Sequence, residues 1–362
     1  MNVIQEEAAV GKAARGVVAV LIGASVALTG CGEQLPTLVT PSNGQPSPVK
    51  PRAAGSYETT GRGPDLPETG AWLGAWVKTD WQTPSGRAAA LDSFARQTEG
   101  DLAIAHMFHD WSDDFPGPTQ QAFHAMGKLQ MISWSGTDTR SITSGVYDAI
   151  IRQRAEQVRS FGLPVLLRWR WEMDRPNLVA SIHSPGDYVA AWKHIRAIFT
   201  DVGADNAAWV WCPHVLGFVE SDRNAAAYYP GDDQVDWLCT DVYPGKNFDG
   251  FAEQMDAFMA FARQHPRPVM IGEFGVTSKG KPGQRAAWLR EAREYIKVHP
   301  QIKAAVYFAQ KQEKPVYDST FNEDPDGLAA FKELTTDPYF AAPLPQMLNP
   351  SKDATGPSAP NE

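Results

Sequence analysis

Hydrophobic residues fall into two rhythms that take turns along most of this chain. Short, nearly unbroken apolar runs stand at Trp72 to Val77, Leu102 to Phe108, Leu129 to Trp134, Pro164 to Arg170, Ala208 to Cys212, Val235 to Val242, Pro268 to Ile271 and Ala304 to Phe308. Between them lie longer stretches with helical spacing: Ser85 to Thr98, with Leu91, Phe94 and Ala95 on one face, then Val146 to Phe161, Pro185 to Val202, Phe251 to Gln264 and Gly283 to Val298. A run without polar alternation is a strand buried on both faces, as in parallel sheets covered by helices. Strands of this kind separated by helices predict an α/β fold, a single (β/α)8 TIM barrel over residues 70–340. The alternative, an open doubly wound sheet, calls for a glycine-rich phosphate turn after the first strand, and Trp76-Val-Lys-Thr-Asp80 offers none.

The two ends have a different character. Lys12 and Arg15 precede the apolar run Val17 to Leu28, which is too short to span a bilayer and suits the core of a signal peptide. The following Leu28-Thr29-Gly30-Cys31 resembles a bacterial lipobox, so residues 1–31 read as a lipoprotein signal with Cys31 as the lipidated residue. Residues 32–69 are rich in Pro, Ser, Thr and Gly and read as a tether, and 341–362 as a similar tail; both are expected to be disordered. The implied place is extracytoplasmic, at the cell surface, with the lipid at Cys31 as the only membrane contact.

Composition narrows the partners. A net charge of -9 gives no footprint for nucleic acid or an anionic membrane. The 12 tryptophans suit a flat, neutral ligand such as a sugar. Histidines are scattered and no cysteine pair has ligand spacing, so neither a metal nor another cofactor is expected. A monomer acting on a polysaccharide or oligosaccharide is the expected arrangement. Cys212 and Cys239 fall on neighbouring strands, and outside the cytoplasm a disulfide is open to them. Free thiols are the favoured reading, because parallel neighbours seldom present the Cβ geometry.

In a barrel the chemistry gathers where strands end. Those tips hold Trp76 and Asp80, His106 and His109, Trp134, Arg168 to Asp174, Trp211 and His214, Asp241 and Tyr243, Glu273, and Phe308 with Gln310. Glu172 and Glu273 stand out, each a carboxylate at the far end of a buried strand. Burial is costly for a carboxylate unless something uses or pairs it, and two at strand tips can act across one glycosidic bond. A structural ion pair with Arg168 or Arg170 is the plainer reading of Glu172. It leaves Glu273 unexplained, since no basic residue precedes it closely and none follows until Lys279.

Several spaced blocks also carry a family likeness. Arg168-Trp-Arg-Trp-Glu172-Met-Asp174, Gly186-Asp-Tyr188, Ala191-Trp-Lys-His194, Asn206 to Pro213, Tyr229-Pro-Gly231-Asp-Asp233, Val235-Asp-Trp237 and Ile271-Gly-Glu273-Phe-Gly275 resemble glycoside hydrolase family 26 in order and spacing. The resemblance implies a retaining barrel glycosidase with Glu172 as acid/base after strand four and Glu273 as nucleophile after strand seven. It implies Tyr243 as the tyrosine bonded to the nucleophile and Arg168 as the strand-four arginine. Where the family pattern has His before the acid/base and Asn two residues after it, this chain has Trp171 and Asp174. The tryptophan-rich segment that follows in the family is replaced by Arg175-Pro-Asn-Leu-Val-Ala.

The expected activity is hydrolysis of a β-linked polysaccharide, mannan-like or a related β-glycan, by double displacement with carboxyl groups about 5 to 5.5 Å apart. Tyr243 and nearby positive charge should hold the Glu273 pKa down, while indole at Trp169 or Trp171 should keep Glu172 protonated. Arg168, Trp171, Asp174, Tyr243 and His106 are expected around the substrate, with Trp76, Trp111, Trp134, Trp211 and Phe308 as stacking surfaces and Trp211 foremost. A barrel that binds carbohydrate without catalysis, and an enzyme that processes the cell's own exopolysaccharide or envelope glycan, stay open beside this reading.

Overall fold

A computed structural model describes Tyr57 and residues 63–245, 247–277, 280–311 and 318–345. Cys31, the signal segment and most of the tether lie outside the described residues. Eight parallel strands close into a barrel in chain order: β1 (Trp72–Val77), β2 (Ile104–His109), β3 (Leu129–Trp134), β4 (Val165–Trp169), β5 (Ala207–Trp211), β6 (Trp237–Val242), β7 (Val269–Phe274) and β8 (Ile302–Ala309). This is the (β/α)8 architecture expected from the apolar runs.

Because side chains alternate across a strand, these buried strands feed two cores. Ile104, Met131, Leu166, Val210, Cys212, Trp237, Cys239, Met270 and Val306 fill the interior. Leu73, Ile132, Leu167, Trp209, Trp211, Leu238, Ile271 and Tyr307 face outward against helical residues such as Phe94, Trp192, Phe258 and Phe331. This parity corrects the reading of Trp211. Cys212 points inward, so its neighbour points outward; Trp211 is wholly buried, donates its indole N–H to Tyr228 O at 3.0 Å and packs on Tyr229. Trp134 is likewise buried, stacked on Trp111 with ring centroids 4.4 Å apart.

The packed body is wider than residues 70–340. Leu66, Ala342 and Leu344 pack against the interior core from the N-terminal end of the strands. Trp72 bridges to Ala341 and donates its indole N–H to Pro343 O at 3.2 Å, while Lys303 Nζ donates to Pro67 O at 2.9 Å. A barrel open at its base would leave Trp72 and Trp237 facing water, and these proline-containing segments supply the plug. Cys212 and Cys239, facing each other in one interior layer, are joined by a disulfide with Cα atoms 4.3 Å apart. The favoured reading of free thiols does not hold.

Candidate active site

At the C-terminal mouth, the chain leaving β4 makes a turn that a plain strand exit would not need. Arg170 and Glu172 both adopt the left-handed region, with φ of 49° and 51°. Such backbone is unfavourable for residues with a Cβ and persists where neighbours hold it. Here Arg170 N donates to Trp134 O at 3.0 Å, and Glu172 N donates to Cys212 O at 2.7 Å. The Asp174 carboxylate then accepts from His214 N at 2.9 Å. These bonds tie the turn to β3 and to the loop after β5, and they set the direction of the Glu172 side chain.

Glu273 reaches the same mouth from β7. The β6–β7 ladder shifts register between Thr240 and Asp241, and the β7–β8 ladder between Ile271 and Phe274. Irregularities of this kind re-aim side chains. Gly272 permits the approach, since a Cβ there would lie 2.8 Å from Asp241 Oδ1 and 2.9 Å from Arg168 Nη1.

Arg168 lies beneath both elements, wholly buried. Its Nε donates to Ser133 Oγ at 2.7 Å, Nη1 to both Asp241 oxygens at 2.8 and 2.9 Å, and Nη2 to Glu273 Oε1 at 2.5 Å. The Tyr243 hydroxyl donates to the other oxygen, Glu273 Oε2, at 2.6 Å. Each oxygen of Glu273 therefore meets a donor, which fixes the plane of the carboxylate. Arg168, expected to line the substrate, is instead a clamp beneath it.

His106 belongs to the same network. Ser133 Oγ lies 2.7 Å from His106 Nε2, and Arg168 Nη2, which can only donate, faces the same nitrogen at 3.4 Å; Nε2 is thus the acceptor, Ser133 donates to it and the ring proton is on Nδ1. Burial first, then the Arg168 charge and His109, lower the His106 pKa well below its ordinary value, so the ring is neutral. Its Nδ1 has no hydrogen-bond partner among the described residues.

Glu172 is held differently. Arg175 Nη1 donates to its Oε2 at 2.9 Å, and His214 Nε2 lies 3.8 Å from its Oε1. Leu216 N donates to His214 Nδ1 at 3.1 Å, so Nδ1 is an acceptor and the ring proton is on Nε2, facing Glu172. The expected indole setting is absent. Trp169 points outward and stacks on Tyr188, whereas Trp171 packs on Phe108 with centroids 5.0 Å apart and covers the Arg168 guanidinium at 5.2 Å.

Burial pushes the Glu273 carboxyl above its ordinary value; Arg168 and Tyr243 pull it down and the Glu172 charge pushes it further up, so the expected net lowering does not occur. Burial likewise raises Asp241. It opposes the Arg168 charge, but Asp241 and Glu273 outweigh it and raise that pKa. Asp174 is pushed up to about 6, chiefly by burial, against the His214 N–H that favours its ionised form. With one oxygen on that N–H and the other packed near Gly217, Asp174 joins two loops rather than facing the mouth.

Aromatic rings line one side of the mouth. Trp76 stacks on Phe308 at 4.5 Å, Phe108 meets Trp76 edge-on at 5.5 Å, and Tyr243 meets Phe308 edge-on at 6.2 Å. Trp76 and Phe308, two of the five rings expected as stacking surfaces, thus lie at the mouth near Trp171, and Tyr243 and His106 join the network around Glu273. Ser133, Phe108, Arg175 and the role of His214 were not anticipated. Asp241 had one available signal, since it lies two positions before Tyr243.

Two carboxylic groups stand at this mouth, one beside a guanidinium and an imidazole and the other held by a buried clamp and a phenol. The chain is also similar to known proteins. The model of glycosyl hydrolase family 26 matches residues 126–291. Endoglucanase H of Acetivibrio thermocellus is 30% identical over 286 residues, covering 73% of this chain and 30% of that protein. Beta-1,3-xylanase TXYA of a Vibrio species is 27% identical over 148 residues, covering 39% of this chain and 30% of that protein. The chain thus spans less than a third of the length of these curated relatives. Among solved structures, a β-mannanase of Bacteroides ovatus superposes with a TM-score of 0.57 at 16% identity, covering 75% of this chain and 90% of that one. A modular endo-β-1,4-mannanase of Cellulomonas fimi gives 0.56 at 18% identity, covering 75% and 71%. At such identities these two structures speak for the fold.

Proposed function

We propose that this chain, which the model of glycosyl hydrolase family 26 matches over residues 126–291, is a member of that family and a retaining endo-glycosidase acting on a β-linked polysaccharide. The observation that carries the reading is the pinning of both Glu273 oxygens, by Arg168 and by Tyr243, at a mouth shared with Glu172. A carboxylate held in one plane is set to attack an anomeric carbon.

In the first step a Glu273 oxygen forms a bond to that carbon while the bond to the leaving oxygen breaks, and Glu172 gives its proton to the departing sugar. In the second, the Glu172 carboxylate takes a proton from water, and the resulting hydroxide displaces Glu273. The Arg175 guanidinium donates to Glu172 Oε2, and the His214 ring faces Oε1, so both stand beside the carboxylate of this second step.

The substrate choice lies among β-glucan, β-1,3-xylan and β-1,4-mannan, the polymers that the names of the similar proteins indicate. Purified protein incubated with soluble forms of each should release reducing ends from at least one. Proton NMR of the first products should show the β anomer appearing before mutarotation. Release of the α anomer first would contradict double displacement, and inertness toward every β-glycan would remove the enzymatic reading.

Surface attachment belongs to the same proposal. The run Leu28-Thr29-Gly30-Cys31 supports lipidation at Cys31, with residues beyond it as tether, and a tethered enzyme acts on polymer within reach of the envelope. Cys31→Ser is expected to move the protein from the membrane fraction to the soluble fraction and to abolish labelling by a fatty-acid probe. Unchanged fractionation would refute the anchor.

A further inference from the structure

Every tryptophan of this chain is buried or half-buried except Trp81, whose surface is 74% exposed. Among the described residues the other exposed large hydrophobic residues are all valines. An indole left in water forgoes a large burial gain, so its display calls for an occupant.

Its setting points to one. Trp81 lies in the loop between β1 and the helix Pro84–Thr98, on the catalytic rim of the barrel. The loop is ordered without help from the ring. Trp81 N donates to Thr79 Oγ1 at 3.1 Å, Gly86 N donates to Thr83 Oγ1 at 3.1 Å, and Arg87 links Gln82 to Met107 on β2. A Cβ on Gly86 would come within 2.6 Å of Trp81 Cβ, so the base of the tryptophan is seated on the start of the helix while its ring projects. Little conformational entropy remains to be lost when a flat ligand lands there.

Direction follows from the barrel. Glu172, with Arg175 and His214, lies over β4 and β5, and the acid/base must face the leaving sugar. In the closed order β1 to β8, β1 is diametrically opposite β5. The sugar chain retained on Glu273 therefore runs away from β5, past Tyr243 after β6, Phe308 on β8 and Trp76 on β1, toward the loop that carries Trp81. The half-buried ring of Trp76, stacked on Phe308, is the inner part of this path.

We propose that Trp81 is the stacking platform of a remote glycone subsite, taking the face of a neutral pyranose ring several sugars from the cleaved bond. The proposal rests on the endo-glycosidase reading and adds a second anchoring point that makes long chains better substrates than short ones. Stacking a flat ring on an aromatic face contributes enough to alter rates by roughly fivefold to a hundredfold.

The test compares wild type, Trp81→Ala and Trp81→Tyr on β-1,4-gluco-oligosaccharides, β-1,4-manno-oligosaccharides and β-1,3-xylo-oligosaccharides, each from the disaccharide to the hexasaccharide. Trp81→Ala should lower kcat/KM about tenfold or more on the longest cleaved members and leave the shortest within about twofold, with an unchanged unfolding temperature. Trp81→Tyr should restore most of the loss. An equal loss at every length, or none on the hexasaccharide, overturns the platform. Should wild type cleave none of the ladders, β-1,3-xylo-oligosaccharides included, retardation in gels containing soluble β-glucan, β-1,3-xylan or mannan decides separately: retardation lost in Trp81→Ala keeps the platform while the enzymatic reading falls, and retardation equal in both proteins, or absent from both, overturns the platform.

Discussion

Glu273→Ala is expected to lower the hydrolysis rate by about four orders of magnitude or more, with the folded state retained. Removing a nucleophile eliminates the route itself, and comparable deletions in other enzymes cost on this scale or beyond. Glu172→Ala provides the contrast. A general acid contributes about 10²- to 10⁴-fold, and the need for it shrinks when the leaving group is already a weak base. On an aryl glycoside with an acidic phenol, Glu172→Ala should therefore form the glycosyl-enzyme at a sizeable rate and then stall, because water has lost its base. Added azide, a nucleophile that needs no deprotonation, should restore turnover of Glu172→Ala and yield a β-glycosyl azide. The same ion acting on Glu273→Ala should yield the α product by direct displacement. Exchange of these two outcomes would exchange the roles, and full activity in either variant would end the proposal.

Arg168→Met should have the second largest effect, on stability as well as rate. The guanidinium is wholly buried and donates to Asp241 through Nη1 and to Glu273 through Nη2. Replacing it with an apolar chain of similar length leaves two buried carboxylates without their cation. Breaking a buried ion pair from one side costs about 3 to 5 kcal/mol. The pH dependence has a definite sign. Burial already raises the pKa of Asp241 and Glu273, against the opposing pull of Arg168. Without that pull both folded-state values rise further above the unfolded ones. A carboxyl with a raised folded pKa favours the native state at low pH and loses that contribution as pH climbs through the folded value. The deficit relative to wild type should thus be larger at pH 8 than at pH 5, as read from denaturant midpoints. Arg168→Lys, a point charge that cannot fork between Asp241, Glu273 and Ser133, should fall between. A Met variant with the wild-type midpoint at both pH values would show that the clamp contributes nothing to the fold.

Much of this molecule was legible before any coordinates. Near-continuous apolar runs such as Leu129 to Trp134 place strands because burial on both faces leaves no room for polar alternation, and helical spacing between them leaves little choice but a parallel barrel. Glu172 and Glu273 were visible because a carboxylate at the end of such a run must be used or paired. Bonds between residues far apart in sequence left no such trace. Parity along β5 turned Trp211 outward, since one position separates the interior from the helical layer. Whether burial or Arg168 governs Glu273 is a balance of desolvation against charge, and burial exists only after the barrel closes. The Arg175 and His214 contacts to Glu172 depend on a left-handed turn after β4 held by Cys212 and His214 of the neighbouring strand end. Local patterning determined which elements form, because propensity and hydrophobic period act over a few residues; tertiary closure decided which side chains meet at the mouth, because distance and dielectric are properties of the assembled barrel.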